Sequence, residues 1–331
     1  MTEKKAEISQ AMKEKLAPKQ FIKTPIHGTK FTILVSSAKG GVGKSTVAVN
    51  LAFALQNLGL KIGILDADVY GPSLPKLINL NEKPKSEDGK ALIPLEKYGA
   101  QCMSMGFLVD EQTPMIWRGP MVISALKTMT QKVLWKDRDV IIVDMPPGTG
   151  DTQLTFAQEV KVDGAVIVST PQDLALLDVK RGIQMFDKTG VKILGLIDNM
   201  SFFKGDDGKN YNIFGEGGVE KTAKEFNKEF LGKIPLHQDL RISADKGHPL
   251  TLSNPSLDFS FLKLSSLKYI IILLAISLTS LGLNIIPASP TCSGKATAFE
   301  LQTATSKAKA SYIGILTLSN NVGITKNLDI L

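Results

Sequence analysis

The stretch Ser36-Ser-Ala-Lys-Gly-Gly-Val-Gly-Lys-Ser-Thr46 decides the fold of this chain. It follows an apolar run that begins at Phe31, and it precedes Thr46–Leu58, whose apolar residues recur at helical spacing. A glycine-rich turn that leaves a strand, ends in Gly-Lys-Ser and opens a helix is the pattern of a P-loop. Its glycines let backbone N–H groups point inward, and the helix N-terminus adds partial positive charge. The stretch therefore predicts a phosphate-binding site at the end of the first strand.

The polar residues of this loop have predicted roles in holding a nucleotide. The ammonium of Lys44 is placed to hold the β- and γ-phosphates of ATP, and the hydroxyl of Ser45 to ligate Mg²⁺. Thr46 adds a hydroxyl near the α-phosphate. The predicted ATP-binding residues of the loop are Lys39, Gly40, Gly41, Val42, Gly43, Lys44, Ser45 and Thr46.

Further apolar, β-branched runs predict the other strands of a sheet. Runs that are apolar almost throughout are typical of strands buried on both faces. Because helical stretches lie between several of them, we predict an α/β fold with a doubly wound, mainly parallel sheet of P-loop type. Functional residues should then gather at the carboxyl ends of the strands. The predicted strands are 31–36, 61–66, 139–144, 164–169 and 191–197.

Polar residues stand at the ends of three of these strands. We predict that Asp66 supports the Mg²⁺ shell or the loop and that Asp68 orients the attacking water; alternatively, both cap the turn before Gly71. Asp144 ends a buried strand like a Walker-B acid, so it is predicted to hold Mg²⁺ directly or through water. Asn199 is predicted to read the adenine edge, with a capping role as the alternative.

The segment after Asp144 predicts a switch that responds to the γ-phosphate. Pro146 and Pro147 stiffen the chain there, and Gly148 allows a backbone N–H to approach the phosphate. Loss of that phosphate would release the segment. Asp151 is predicted to be the N-cap of the following helix.

Composition excludes several classes of function. The chain has 331 residues and a net charge of +7, and its cations are scattered, which argues against nucleic-acid binding. Two cysteines and three histidines exclude a disulfide framework and a four-cysteine metal site within one chain. The first residues carry no apolar stretch of a secretory signal, so we expect a cytoplasmic protein.

Three regions are predicted along the chain. Residues 1–30 form an N-terminal helix and linker, residues 31–255 the ATPase domain, and residues 256–331 an atypical tail. The tail contains an uncharged apolar segment, Tyr269–Ile286, which is close to the length of a spanning helix. Three interpretations stay open: a docked hydrophobic helix, a membrane anchor, or a C-terminus foreign to the ancestral fold.

The loop also departs from the general P-loop template. It has Ala38 where the template has glycine, and it carries an additional lysine, Lys39. Together these resemble the deviant P-loop group, which includes the nitrogenase iron protein and the septum-site and partition ATPases. The resemblance implies a homodimer in which Lys39 reaches the nucleotide of the partner protomer and acts in catalysis with Lys44 and Asp68.

Additional motifs resemble the Mrp/ApbC family of ATP-binding iron–sulfur cluster carriers. They are 68–73, 105–108, 117–121, 144–151, 199–201, 213–218, 235–236 and 241–245. The resemblance implies slow ATP hydrolysis coupled to the binding and transfer of iron–sulfur clusters, with apo-proteins and an assembly scaffold as partners. The alternatives are a partition-type or positioning ATPase and a nucleotide-gated scaffold without its own cluster.

One departure from that family concerns the cluster ligands. Gly205 and Gly208 stand where the family has a Cys-x-x-Cys pair, so the iron–sulfur ligands of this chain are unknown. Cys102 lies in an apolar run and is predicted to be a buried small hydrophobe. Two thiolates from each of two protomers would supply the four that a [4Fe–4S] cluster takes, and this chain has no such pair there.

Overall fold

The computed structural model describes residues 23–87, 89, 91–108 and 119–253, together with two short strands farther along the chain. The strands are β1 (Thr29–Ser36), β2 (Ile62–Asp66), β3 (Ser86–Glu87), β4 (Ala91–Leu92), β5 (Leu95–Lys97), β6 (Ala100–Ser104), β7 (Arg138–Asp144), β8 (Gly164–Ser169), β9 (Ile193–Lys204), β10 (Asn210–Tyr211), β11 (Phe230–Leu236), β12 (Leu283–Ile286) and β13 (Glu300–Thr303). The helices are α1 (Lys44–Asn57), α2 (Leu74–Leu77), α3 (Gly119–Gln131), α4 (Asp151–Glu159), α5 (Asp173–Thr189), α6 (Gly218–Glu225), α7 (Gln238–Asp245) and α8 (Leu250–Ser253).

A mainly parallel sheet forms the centre of the molecule. Its strand order is β10-β9-β8-β1-β7-β2-β6-β5, and β11 also pairs with β9 in parallel. The antiparallel pairings in this sheet lie at its margins, between β9 and β10 and between β5 and β6. From β1 the chain continues to β2 on one side of β1 and later to β8 on its other side. The loop after β1 therefore lies at the point where the order of the strands reverses. Ligands of open α/β sheets bind at such a point.

The parallel register aligns the carboxyl ends of the central strands. Asp144 is the register partner of Val35 on one side and of Asp66 on the other. Ser169, at the end of β8, is likewise the partner of Asp198 in β9. Side chains separated by tens of residues in sequence therefore meet at one edge, which we call the nucleotide edge: the loop after β1 and the ends of β2, β7, β8 and β9.

Helix α1 is enclosed by the rest of the fold. It packs against β1, β2 and β7, and its other side is covered by α8. Asn57 donates to the backbone carbonyl of Thr251 at 2.9 Å, and Asn50 accepts from the N–H of Thr251 at 3.2 Å. The apolar residues that recur at helical spacing are buried here, and so are Ala48 and Val49, which lie outside that spacing, because the helix is covered on more than one side.

The sequence-based assignment of strands is confirmed in the centre of the sheet and incomplete elsewhere. All five predicted strands are present, and the fold class is as predicted. The strands β6 and β11 were missed. Polar Gln101 and Ser104 interrupt β6, and Gly232, Lys233 and Pro235 interrupt β11, so neither has the apolar composition of a buried strand.

Two smaller expectations were wrong. Asp151 is the first residue of α4 and the N-cap is Gly150, so the carboxylate lies in the first turn without making a cap hydrogen bond. The near-helical spacing of Trp117, Met121, Leu126 and Met129 predicts that they lie in the core. Met121 is 43% exposed, whereas Leu126 and Met129 are buried.

The ends of the chain bear on three predictions. Ordered packing begins before residue 31, since Ile26 is buried and Thr24 forms a bridge with Val160. The predicted N-terminal helix at 4–16, Trp117, and residues 269–282 of the apolar segment lie outside the described residues. The last four residues of that segment form β12, paired with β13, so the segment is not helical through Ile286. Among the described residues, no helix is both long and apolar enough to cross a bilayer.

Candidate nucleotide site

The P-loop has backbone conformations that require glycine. Gly41 and Gly43 have φ angles of 79° and 80°, in the left-handed region where a Cβ is strained. Gly43 is also the N-cap of α1, and a Cβ on it would lie 2.4 Å from the Nδ2 atom of Asn199. The two glycines turn the chain from β1 directly into the helix, so the helix N-terminus faces the loop.

A buried ion pair joins the P-loop to the end of β7. The ammonium of Lys44 contacts the Oδ1 atom of Asp144 and lies 3.2 Å from the hydroxyl of Ser45. The side chains of Lys44 and Asp144 are 6% and 3% exposed. Burial raises the pKa of Asp144, against the attraction of Lys44 and a hydrogen bond from Ser45. The three side chains to which phosphate and Mg²⁺ binding were assigned therefore meet in one place.

These residues fit Mg²⁺ and a triphosphate. A hydroxyl and a carboxylate are the oxygen ligands that Mg²⁺ prefers, and here the ammonium of Lys44 contacts both. An added Cβ on Gly41 would meet nothing within 4 Å, so there is open space beside this glycine. A lysine, a helix N-terminus and glycine amides beside that space form an anion-binding cradle.

Asp66 organises the turn after β2. It is fully buried, and its oxygens accept hydrogen bonds from the N–H groups of Asp68, Ser73 and Leu74 and from the hydroxyl of Ser104. Burial and the nearby Asp144 carboxylate raise its pKa to about 7. These contacts are those of the alternative predicted for Asp66, in which it caps the turn before Gly71; its support of the Mg²⁺ shell or the loop stays a prediction.

Asp68 lies on the wall of a cavity between the turn after β2 and the segment that follows β7. It is 8% exposed, and its Oδ1 atom accepts from the N–H of Gly71 at 3.2 Å. The cavity has a volume of about 320 Å³ and is lined from the other side by Pro146 and Pro147, which follow Asp144. One carboxylate thus faces the predicted switch segment, where a water molecule has room.

The predicted switch segment is tied to the end of β1 by Gln153. This residue is 1% exposed; its Oε1 atom accepts from the hydroxyl of Ser36, and its Nε2 atom donates to the carbonyl of Pro146. The N–H of Gly148 donates to the carbonyl of Ser37 at 2.9 Å. Sequence reasoning missed Gln153, because its partner Ser36 lies 117 positions away and a glutamine in a helix carries no motif.

Asn199 braces the P-loop from β9, two strands away from β1 in the sheet. Its Nδ2 atom donates to the carbonyl of Val42 at 2.7 Å, and the side chain is buried. The bond to Val42 uses one hydrogen of the Asn199 side-chain amide and leaves the other hydrogen and the amide oxygen for a ligand. The contact of Asn199 with the adenine edge therefore stays a prediction. Lys39 is half-buried, and within the described residues its ammonium has no acidic partner.

The comparison with known proteins follows this geometry. Residues 28–266 match the family described as NUBPL iron-transfer P-loop NTPase. The chain belongs to this family. It is 53% identical over 232 residues to the iron–sulfur protein required for NADH dehydrogenase of Arabidopsis thaliana mitochondria, a match covering 70% of this chain and 74% of that protein. It is 50% identical over 237 residues to the iron–sulfur cluster carrier protein of Escherichia coli, covering 71% of this chain and 64% of that protein.

Solved structures agree with the family. The nucleotide-binding protein of Archaeoglobus fulgidus in complex with ADP is 38% identical, with a TM-score of 0.59, over 67% of this chain and 88% of that chain. The cell division ATPase MinD of Pyrococcus furiosus is 20% identical, with a TM-score of 0.53, over 73% of this chain and 99% of that chain. The second likeness concerns the fold alone. The chain is thus a nucleotide-binding P-loop NTPase of the iron-transfer family.

The position at which the family has a Cys-x-x-Cys pair is a glycine turn in this chain. Gly205 and Gly208 lie in the hairpin between β9 and β10, closed by a hydrogen bond from the N–H of Gly208 to the carbonyl of Gly205 at 2.9 Å. The Asp207 carboxylate accepts from the N–H of Lys209 and the hydroxyl of Tyr211. Cys102 is buried in β6, as predicted. Within the described ranges, no group of three or more His, Cys, Asp or Glu side chains is placed to hold a metal ion.

Proposed function

We propose that this chain is a homodimeric ATPase that transfers iron–sulfur clusters to apo-proteins in the cytoplasm. The observation that carries the proposal is the buried contact of Lys44 with Asp144 and Ser45 in a P-loop whose additional lysine, Lys39, has no acidic partner among the described residues. Relatives at 50–53% identity, named as an iron–sulfur protein and a cluster carrier, support the cargo. A free thiol at Cys102 fits a reducing compartment.

The geometry supports hydrolysis by positioning and charge stabilisation. The loop amides and Lys44 hold the phosphates, and Ser45 and Asp144 are the residues that would hold Mg²⁺, which supplies positive charge to the β- and γ-phosphates when bound. Asp68, on the wall of the cavity beside Pro146, orients the attacking water molecule. The water oxygen bonds to phosphorus as the bond to ADP breaks, and the water proton passes to the released phosphate.

A homodimer explains why the loop carries the additional lysine, Lys39. A lysine side chain without an acidic partner among the described residues of its own protomer is available to neutralise phosphate charge on a twin subunit, so the complete site would form only in the dimer. Turnover is expected to be slow, because the loop provides no arginine finger. Lys39→Ala should therefore lower the rate of phosphate release while leaving the fold intact.

The experiment that tests the proposal follows hydrolysis and transfer together. A cluster-loaded scaffold protein and an apo-ferredoxin are mixed anaerobically, with and without this chain and ATP. We expect ATP and the chain together to accelerate cluster appearance on the acceptor, and ADP to be ineffective. A chain that hydrolyses ATP without accelerating transfer would contradict the carrier function and favour a partition-type or positioning ATPase.

A second candidate is a nucleotide-gated scaffold without its own cluster. The absence of cysteine from the hairpin at Gly205 and Gly208 favours it. This alternative predicts nucleotide-dependent dimerisation with hardly any phosphate release. Sedimentation in ATP and in ADP, beside a phosphate-release assay on the same sample, separates the two candidates.

A further inference from the structure

The number of cysteines limits how this chain can hold a cluster. The full sequence has two cysteines, Cys102 and Cys292. Iron–sulfur clusters of the common types are held by four thiolates. A homodimer could supply four thiolates only if both cysteines of each chain met at one place. The accessibility of Cys102 therefore decides whether this chain alone can ligate a cluster.

Cys102 is enclosed in the sheet. It lies in the middle of β6, paired with Ile64 of β2 on one side and Leu95 of β5 on the other, and it has no exposed surface. Its sulfur faces the carbonyl of Ala100 at 3.8 Å. Burial, with a smaller contribution from Glu96, raises the pKa of the thiol to about 12. Because the thiolate is the ligand form, Cys102 has neither the ionisation nor the access that ligation needs.

One cysteine per chain is left, Cys292. A dimer then offers two thiolates, which is half of the usual set. Within the described residues, no group of three or more His, Cys, Asp or Glu side chains is placed to hold a metal ion. The shortage thus follows from the count of cysteines and from the position of Cys102.

The glycine hairpin does not substitute for the missing ligands. A Cβ on Gly205 would lie 2.7 Å from the ring of Tyr211 and 2.8 Å from the carboxylate of Asp207. Gly208 has a φ of 77°, which a side chain strains. The Asp207 carboxylate is engaged by Lys209 and Tyr211. The conformation of the turn requires glycine at these two positions, and the carboxylate of Asp207 already accepts two hydrogen bonds within the turn.

We propose that the cluster handled by this chain is held by the thiolates of partner proteins, and that this chain brings a cysteine-ligated donor and an apo-acceptor together under nucleotide control. This inference rests on the proposed function and identifies its partners as thiolate-rich proteins.

The transfer itself is ligand exchange. Each acceptor thiol binds iron as a thiolate and gives its proton to the donor thiolate that leaves the same iron. One iron–sulfur bond forms for each that breaks, and no electron is transferred. The reaction therefore needs no oxidant or reductant, and it needs no cysteine from this chain.

The test uses the full chain and its Cys102→Ala/Cys292→Ala double variant. Each is incubated anaerobically with ferrous iron and sulfide and desalted, and iron and acid-labile sulfide are counted per chain. Each is then assayed for ATP-dependent transfer from a cluster-loaded scaffold protein to an apo-ferredoxin. We expect equal and low retained iron for both proteins and transfer rates within a factor of two.

Two outcomes would overturn the inference. One is a stoichiometric cluster on the wild-type chain that the double variant lacks; the other is transfer that falls tenfold in the double variant while ATP hydrolysis stays normal. If Cys102→Ala disturbs the core and hydrolysis is lost, the single variant Cys292→Ala decides, since Cys102 is buried in either case. Failure of the wild-type chain to accelerate transfer would instead contradict the proposed function.

Discussion

The nucleotide edge and the β9–β10 hairpin differ in the sequence distance that their hydrogen bonds span. At the nucleotide edge, Lys44 contacts Asp144 and Asn199 binds Val42, across 100 and 157 positions. In the hairpin, Asp207 binds the N–H of Lys209 two positions away and the hydroxyl of a tyrosine four positions away. A change at the edge thus disturbs several elements, whereas a change in the hairpin stays local. Four predictions test this difference, in order of expected effect.

The largest effect is expected from Lys44→Ala. Removing a cation that faces developing phosphate charge should lower the hydrolysis rate by roughly 100-fold or more. The free energy of unfolding should fall by about 3–5 kcal/mol, because Asp144 is left as an unpaired buried carboxylate. Phosphate release and urea denaturation measure the two effects. The control is Lys180→Ala, which breaks an exposed pair with Glu225 and should cost less than about 1 kcal/mol without changing the rate. Equal rates for both variants would contradict the assignment.

The next effect is expected from Gln153→Ala, which separates the switch segment from β1. The maximal rate should fall roughly tenfold to a hundredfold through misplacement of the segment, with a smaller change in KM for ATP. The free energy of unfolding should fall by about 1–3 kcal/mol. The matched control is Gln101→Ala: that buried glutamine accepts from the N–H of Lys136, away from the nucleotide edge. If the control slowed hydrolysis as much as Gln153→Ala, the positioning role of Gln153 would be wrong.

The third prediction is that Asp198 makes the free energy of unfolding depend on pH. This carboxyl is fully buried beside Lys233, and neither oxygen has a hydrogen-bond donor in the part of the chain that the structure describes. Burial raises its pKa to about 7; Lys233 opposes the shift and Glu220 adds to it. The folded state thus binds the proton more tightly than the unfolded state, and stability should be lost as the pH rises from about 4 to about 7.

Denaturation midpoints between pH 4 and pH 8 check this expectation. Asp198→Asn should make the decline shallower, with an effect on the order of 1–3 kcal/mol at the upper end, and Asp66, whose pKa burial also raises to about 7, accounts for the decline that remains. The control is Asp187→Asn, which removes a half-exposed carboxylate paired with Lys228. A wild-type midpoint that rises over this range, or a decline as steep in Asp198→Asn as in the wild type, would show that Asp198 is not responsible.

The smallest effect is expected in the hairpin. Gly208→Ala places a Cβ on a residue with a φ of 77° and should cost about 1 kcal/mol of stability. Its Cβ would meet nothing within 4 Å, so the strain is confined to the backbone of the turn. Phosphate release should stay within a factor of two of the wild-type rate. A larger loss of activity would mean that the hairpin communicates with the nucleotide edge.

The sequence predicted the centre of the sheet because its strands have the composition of buried strands. Their apolar runs predicted β1, β2, β7, β8 and the start of β9, and the strand–glycine–helix pattern predicted the P-loop. The strands β6 and β11 escaped because polar or glycine residues interrupt them, and they are held in place by pairing with β2 and β9. Asp151 was misassigned by one position, since Gly150 begins the helix without a side-chain cap.

The local pattern of residues by itself determined the parallel α/β fold, the phosphate loop and the shortage of cysteines. These depend on spacing, composition and counting, which need no knowledge of distant neighbours. Only the tertiary structure decided that Ser104 of β6 also donates to Asp66, that Gln153 ties the switch segment to β1, and that Cys102 is out of reach of a cluster. Each of these depends on contacts between elements far apart in sequence, and such contacts are made only when the sheet brings its strands side by side.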